Sequence, residues 1–329
     1  MDTDRTEEIR MLVDASRIAT TPDSLGLATH ASGTTPAIVF DGAVKRFGDV
    51  RALDGIGLSI AAGSTVALLG PNGAGKTTAI SLTLGLLQPD GGTVRTLGLA
   101  PRTAVESGRV GAMLQSSGLP AGARVGELVE FARTIHPHPL GRHELLERSG
   151  LTGLAGRPVT TLSGGESQRL RFAVAIAGDP DLVFLDEPTV AMDVETRRSF
   201  WASMRRFTAE GRTVLFATHY LEEADQVADR IVVLDHGRVV ADGTPASIKA
   251  GARGRTVRFT LADPDREHLS LLPGVIAEEL HGSDVTLRTE DADATVAALY
   301  AAGLAIRDLE VTGADLESAF VALTSERAA

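Results

Sequence analysis

Residues 70–77 read Gly70-Pro71-Asn72-Gly73-Ala74-Gly75-Lys76-Thr77, a G-x-x-x-x-G-K-[ST] pattern. It stands between a compact apolar run, Ser64 to Leu69, and a stretch from Lys76 to Leu87 with Ile80, Leu84 and Leu87 at helical spacing. No other feature of the chain limits its fold as strongly, because the pattern has to sit between a strand and a helix. Glycines let the backbone curl inward and aim N–H groups at one anion, and the following helix turns its positive end toward the same place. Lys76 adds a mobile cation, and Thr77 offers a hydroxyl suited to Mg²⁺. The chain holds only three lysines, Lys45, Lys76 and Lys249, so a compact ammonium at this position is hard to ascribe to composition. Nucleotide phosphate binding is expected here. The bland reading is a glycine-rich turn in a chain with 35 glycines.

The rest of the composition narrows the setting. A chain of 329 residues with 43% hydrophobic and 23% charged residues is ordinary globular material, long enough for about two domains. A formal net charge of −11 disfavours a protein that grips nucleic acid or an anionic membrane through its overall charge. With no cysteine there are no disulfides, thiolate nucleophiles or cysteine-ligated zinc, which fits a reducing compartment. No apolar run approaches the ~18 residues that span a bilayer. Asp2, Asp4, Glu7 and Glu8 oppose a secretory signal, so a cytoplasmic chain is expected.

Along the chain, Thr6 to Ala19 has the spacing of a short amphipathic helix, and Thr20 to Pro36 reads as linker or disorder. Ile38 to Phe40, Val44 to Phe47 and Ile56 to Ile60 predict a small antiparallel sheet. Apolar strands at Leu182 to Leu185, Val214 to Ala217 and Ile231 to Leu234 alternate with helices at Thr196 to Thr208 and Leu221 to Asp229, which predicts a largely parallel sheet. Between Ala100 and Thr160 strand signals fade, and helices over Val125 to Ile135 and His143 to Ser149 suggest a helical subdomain. Asp242 to Arg255 marks a boundary. Beyond it, strands at Thr256 to Leu261 and Val285 to Thr289, with helices at Ala294 to Ala302 and Leu316 to Leu323, outline a small α/β tail.

Two further segments carry chemistry. The apolar strand Leu182 to Leu185 ends in Asp186 and Glu187, and adjacent carboxylates at the end of a buried strand are costly to desolvate without a purpose. Alternation along the strand gives them different directions. Asp186 suits the metal and Glu187 suits the general base for an attacking water. The bland alternative is a pair of solvated acids. At Leu162-Ser163-Gly164-Gly165-Glu166 a glycine turn opens a helix, so Ser163 and the amides of Gly164 and Gly165 offer a second anion cradle. Taken alone, this is a turn. His136, His138 and His143 invite a metal reading, but the prolines between them and the lack of nearby acids favour a structural loop.

In order, Gly70 to Thr77, Gln115, Leu162 to Glu166, Leu182 to Glu187 and His219 resemble the ATP-binding cassette of ABC transporters over about 210 residues. The resemblance implies an α/β P-loop NTPase with a mostly parallel sheet core, an antiparallel β subdomain, a helical subdomain over about residues 111–160, and a small C-terminal α/β domain. The expected division is an N-terminal extension over 1–36, the cassette over 37–245 and an accessory domain over 246–329. It further implies Mg²⁺ and ATP as cofactors. Two cassettes would sandwich two ATP molecules head to tail, as a homodimer, each phosphate loop facing the other's Ser163 to Glu166 segment.

Carried onto these residues, Phe47 resembles the aromatic that stacks on adenine, and Gly70 to Thr78 hold the phosphates. Gln115 resembles the glutamine that touches Mg²⁺ or the attacking water, beside Thr77 and Asp186. His219 resembles the switch histidine that contacts the γ-phosphate and orients Glu187. Asp193 resembles the aspartate closing the dimer loop, although Val190-Ala191-Met192 replaces the family's usual Ser-Gly-Leu. Glu166 stands where many relatives have Gln, and tolerance is expected. The implied role is the ATPase subunit of a transporter, docked to a separate transmembrane permease at the cytoplasmic face through the region from Gln115 into the helical subdomain. No nucleic-acid partner is expected. The C-terminal appendage resembles that of drug-resistance export ATPases, pointing to export of a drug-like or lipid-like compound. A soluble ABC ATPase of translation or DNA repair, and a module that binds without hydrolysing, are the alternatives.

Overall fold

The structure, a computed structural model, describes residues 35–114, 118–251, 254–262, 269–313 and 315–325. Gln115 and the helix expected over Thr6 to Ala19 lie outside the described residues, as does the linker expected over Thr20 to Pro36 apart from residues 35 and 36. The chain opens with the hairpin β1 (Ile38–Phe47) and β2 (Val50–Ile60), then β3 (Thr65–Leu69), the glycine loop and α1 (Lys76–Thr83). The helix expected to reach Leu87 stops at Thr83, because Gly85 takes a left-handed φ of 68° and an added Cβ there would lie 2.6 Å from the Arg102 backbone nitrogen.

There follow β4 (Gly91–Thr96), α2 (Pro101–Glu106), β5 (Val110–Met113), α3 (Val125–Thr134), α4 (Arg142–Arg148) and α5 (Gly164–Ile176). Strand β5 lies in the stretch from Ala100 to Thr160 where strand signals fade and a helical subdomain is expected. Its sequence, VGAM, is short, and Gly111 breaks the apolar run because the carbonyl oxygen of Ala175 would lie only 2.1 Å from a Cβ there. Then come β6 (Leu182–Asp186), α6 (Val194–Ala209), β7 (Thr213–Ala217), α7 (Leu221–Val227), β8 (Arg230–Asp235), β9 (Arg238–Gly243) and α8 (Pro245–Gly251). The tail adds β10 (Arg255–Thr260), β11 (Val275–His281), β12 (Asp284–Thr289), α9 (Ala292–Ala301), β13 (Arg307–Gly313) and α10 (Leu316–Ser325).

The central sheet has the order β5-β6-β7-β3-β8-β9 and is parallel except for the β8–β9 pair. Strands β3 and β7 are buried at every residue, which is why they read as continuous apolar runs. Alternate side chains leave the sheet on opposite faces. Ala67, Leu69, Val183, Leu185, Val214 and Phe216 join a core with α3 to α6, while Val66, Leu68, Leu182, Phe184 and Leu215 join one with β1, β2 and α1. Each large side chain buried in this way contributes roughly 1.5–3 kcal/mol. A three-stranded antiparallel sheet, β2-β1-β4, covers the second face, as expected from Ile38 to Ile60. The tail forms an antiparallel sheet, β11-β12-β10-β13, with its own small core around Val257, Phe259, Leu287 and Leu299.

Register decides what meets at the sheet's carboxyl end. Leu68 of β3 and Asp186 of β6 both pair with Ala217 of β7. The loops after these three strands therefore emerge side by side, where parallel sheets place their ligands.

Candidate functional site

A cleft of about 700 Å³ opens at that end, lined by Gly70, Asn72 to Thr78, Asp186, Glu187, Thr218 and His219, together with Val50, Ala52 and Val190. The glycine loop after β3 turns so tightly that two positions exclude any side chain. A Cβ at Gly70 would lie 2.3 Å from the Leu234 carbonyl oxygen, and one at Gly75 would lie 2.4 Å from that of Ala52. Gly75 also takes a left-handed φ of 104° at the N-cap of α1, which leaves the first amides of the helix facing the cleft. Lys76 donates from Nζ to the carbonyls of Gly70 (2.6 Å) and Pro71 (3.0 Å). Burial lowers its pKa, and the charges of Glu187 and Asp186 pull the other way, which puts the ammonium within electrostatic reach of both acids.

Asp186 ends β6 and Glu187 follows it outside the strand, and both acids line the cleft. Glu187 leaves the strand with a left-handed φ of 49°, and its amide donates to the Ala217 carbonyl at 2.9 Å. That backbone conformation costs a residue with a Cβ about 1–2 kcal/mol. It turns the carboxylate toward β7, where Oε2 lies 2.7 Å from Nδ1 of His219. The contact between Glu187 and the histidine is thus present in the geometry. The site gathers a cation, an anion-binding turn, two carboxylates and an imidazole, the equipment for holding a polyphosphate and directing a water at it.

Phe47 lies at the tip of the β1–β2 hairpin, 49% exposed, paired in register with Val50, which lines the cleft. Ser163, Gly164, Gly165, Glu166 and Asp193 do not line it. Ser163 caps α5, accepting from the Glu166 amide at 3.2 Å, while the Glu166 carboxylate accepts from the Ser163 amide at 2.8 Å and pairs with Arg157 at 2.8 Å. Hydrogen bonding from that amide holds Glu166 below the ordinary carboxylate range. Asp193 caps α6 by accepting from the Thr196 amide at 2.8 Å, which lowers its pKa. Gly164 packs against Ala191, whose methyl would lie 2.7 Å from a Cβ at that glycine. His136 packs its half-buried ring against Gly178, and burial lowers its pKa. Among the described residues no three acidic, histidine or cysteine side chains form a metal cluster.

Val50, Ala52, Val190 and Thr218 complete the cleft without any chemical signal in the sequence. They reach it through hairpin and strand-end register alone.

The fold and the cleft define a P-loop nucleoside triphosphatase of the cassette type. The ABC transporter family profile matches residues 53–190. The chain is 37% identical over 305 residues to a daunorubicin resistance ATP-binding protein of Streptomyces coeruleorubidus, covering 88% of this chain and 96% of that one. It is 36% identical over 265 residues to a Nod factor export ATP-binding protein I of Ralstonia nicotianae, covering 78% and 81%. A solved ATP-binding subunit of an ABC transporter superposes with a TM-score of 0.59 at 25% identity, covering 65% of this chain and 92% of that one. The chain belongs to the ABC transporter ATPase family. It is the ATP-binding and ATP-hydrolysing subunit of such a transporter, and it pairs with membrane subunits as the family does. No helix among the described residues is long and apolar enough to cross a membrane.

Proposed function

We propose that the chain powers export of a drug-like or lipid-like compound, through a separate permease, by closing and reopening a homodimer around Mg-ATP at the cytoplasmic face of the membrane. The similarity to resistance and Nod factor export proteins supports the direction, since in the first case it runs over 305 residues and so takes in the C-terminal segment. In this reading residues 37–245 act as the cassette and 246–329 as an accessory domain. The observation that carries the mechanism is the meeting of Lys76 and Thr77 with Asp186, Glu187 and His219 at the carboxyl ends of β3, β6 and β7.

Gly70 to Thr78 cradle the phosphates through backbone amides, and Lys76 exchanges its carbonyl partners for phosphate oxygens. The exposed ring of Phe47 stacks on the adenine. Glu187 takes the proton of the attacking water, and the imidazole of His219 holds that carboxylate in line. The donor set fits Mg²⁺: Thr77 and Asp186 offer hard oxygens and, with Gln115, leave positions for phosphate and water. When bound, the ion neutralises phosphate charge in the transition state. Ser163 to Glu166 lie outside their own chain's cleft, which supports their facing the nucleotide of a second copy, with Asp193 at the seam.

The test is a pair of variants. Lys76→Ala should lose detectable ATP binding. Glu187→Gln should bind ATP, lose turnover by on the order of 10²–10⁴-fold, and elute as a dimer in saturating Mg-ATP. Near-normal turnover in either variant, or a Glu187→Gln protein that stays monomeric, contradicts the proposal.

A further inference from the structure

Glu223 is an acid, 5% exposed, and absent from the cleft. It lies in the first turn of α7, four residues beyond His219. Its Oε1 accepts from the hydroxyl of Thr189 at 2.6 Å, and its Oε2 from that of Thr218 at 3.4 Å. Both threonines are fully or almost fully buried. Thr189 belongs to the turn that begins at Glu187, and Thr218 immediately precedes His219. One carboxylate therefore joins, through its two oxygens, the loops that carry the general base and the histidine.

A third segment is tied to the same point. Arg197 of α6 places Nε 3.2 Å from Glu223 Oε1, and its Nη2 reaches the Met192 carbonyl in the loop before Asp193 at 3.5 Å. The guanidinium also stacks over the ring of Tyr220, 4.7 Å from its centroid, and that ring lies 4.0 Å from the imidazole of His219. Tyr220 in turn donates its amide to Thr218 Oγ1 at 3.0 Å. Burial pushes the Glu223 carboxyl up, and Thr189 and Arg197 draw it back. A buried acid this expensive persists where its partners need it.

We propose that Glu223 is a positioning residue for ATP hydrolysis, stapling the Glu187 and His219 loops at their working separation, with Arg197 extending the staple to the dimer loop. It does not line the cleft. The inference rests on the assignment of Glu187 and His219 given above. Loss of the carboxylate should let the 2.7 Å Glu187–His219 contact drift while leaving the phosphate cradle, built on β3 and α1, as it is. Binding would then hold and chemistry would fall.

The experiment compares full-length wild type, Glu223→Ala and Glu223→Gln, with nucleotide stoichiometry measured so that turnover is counted per folded site. Glu223→Ala should lower kcat by on the order of tenfold or more, with KM for ATP unchanged within about twofold. Glu223→Gln, which retains an oxygen for Thr189 and an amide for Thr218, should recover most of the loss. In a His219→Ala background, Glu223→Ala should cost little more, because residues acting as one unit are not additive. The proposal is overturned if kcat per site is unchanged, if KM rises in step with the fall in kcat, if Glu223→Gln is as poor as Glu223→Ala, or if the loss is as large without His219. Failure of the site assignment itself shows separately, as persisting turnover in Glu187→Gln.

Discussion

Glu166 carries a charge that glutamine would not, and both of its oxygens are occupied within the chain, by the Ser163 amide and by Arg157. Arg157 also donates to the Thr161 carbonyl at 2.5 Å, so it clasps the turn on both sides. The sequence supports tolerance of the carboxylate from acceptor geometry alone; the neutralising arginine is a partner that only folding brings near. Because hydrogen bonding holds Glu166 below its ordinary value of 4.5, the folded state binds its proton less readily than the unfolded chain. The stability it supplies is complete above the ordinary value and is lost as pH falls through the lowered one. From about pH 4.5 downward, and not above it, urea midpoints of wild type should therefore fall more steeply than those of Glu166→Gln. Parallel curves would show that the carboxylate contributes nothing of this kind. Glu187 is a comparable case: its identity is legible as an acid ending an apolar strand, but its left-handed backbone is not, since nothing local asks for that conformation.

Among secondary-structure elements, what the sequence reveals depends largely on where an element sits in its sheet, the edge strand β2, legible through the alternation of Ile56, Leu58 and Ile60, being the exception. The strands visible as apolar runs, β3, β6, β7 and β8, are interior, as are β10 and β12 in the tail. The strands that pattern does not reveal, β4, β5, β9, β11 and β13, are all edges. An edge strand buries less on each face, and β13 is exposed at six of its seven residues, so no periodicity survives to be read. Packing between loops is equally silent. Ala191 stands where the family usually has glycine, with a left-handed φ of 63°, and its methyl faces Gly164. A Gly164→Ala change puts two methyls 2.7 Å apart. It should displace the Ser163 turn and cut ATPase turnover by about tenfold or more. Ala191→Gly should restore much of that loss when combined with it. Alone, Ala191→Gly should barely change stability, because relief of about 1 kcal/mol of backbone strain is offset by the greater freedom of glycine in the unfolded chain. If the double variant is no better than Gly164→Ala, the two loops are not in register through this contact.

For the whole molecule, the tail does not end apart from the cassette. Its last helix, α10, returns to the face of the central sheet covered by α5 and α6, where Leu316 and Ala319 are buried in the same apolar core as Trp201, Phe216 and Phe200. The first turn of α10 also borders a cavity of about 300 Å³ that reaches Arg197, His219 and Tyr220. Asp315 caps the helix through the Ser318 amide at 2.7 Å, and that hydrogen bond, with a smaller contribution from the charge of Arg288 in β12, lowers its pKa. A boundary drawn from composition at Asp242 to Arg255 cannot reveal this return, because the amphipathic pattern of Leu316 to Leu323 says that one face is buried but not against what. Trp201 is the chain's single tryptophan and lies in the cassette core, 4.7 Å from the ring of Phe216, so its fluorescence reports on the cassette. Truncating Leu316 to Ala removes side-chain atoms from that core and should cost about 2–4 kcal/mol, read as a lower urea midpoint in the Trp201 signal. A helix that stabilised only the tail would leave the Trp201 transition where it is and shift only a separate transition of the tail.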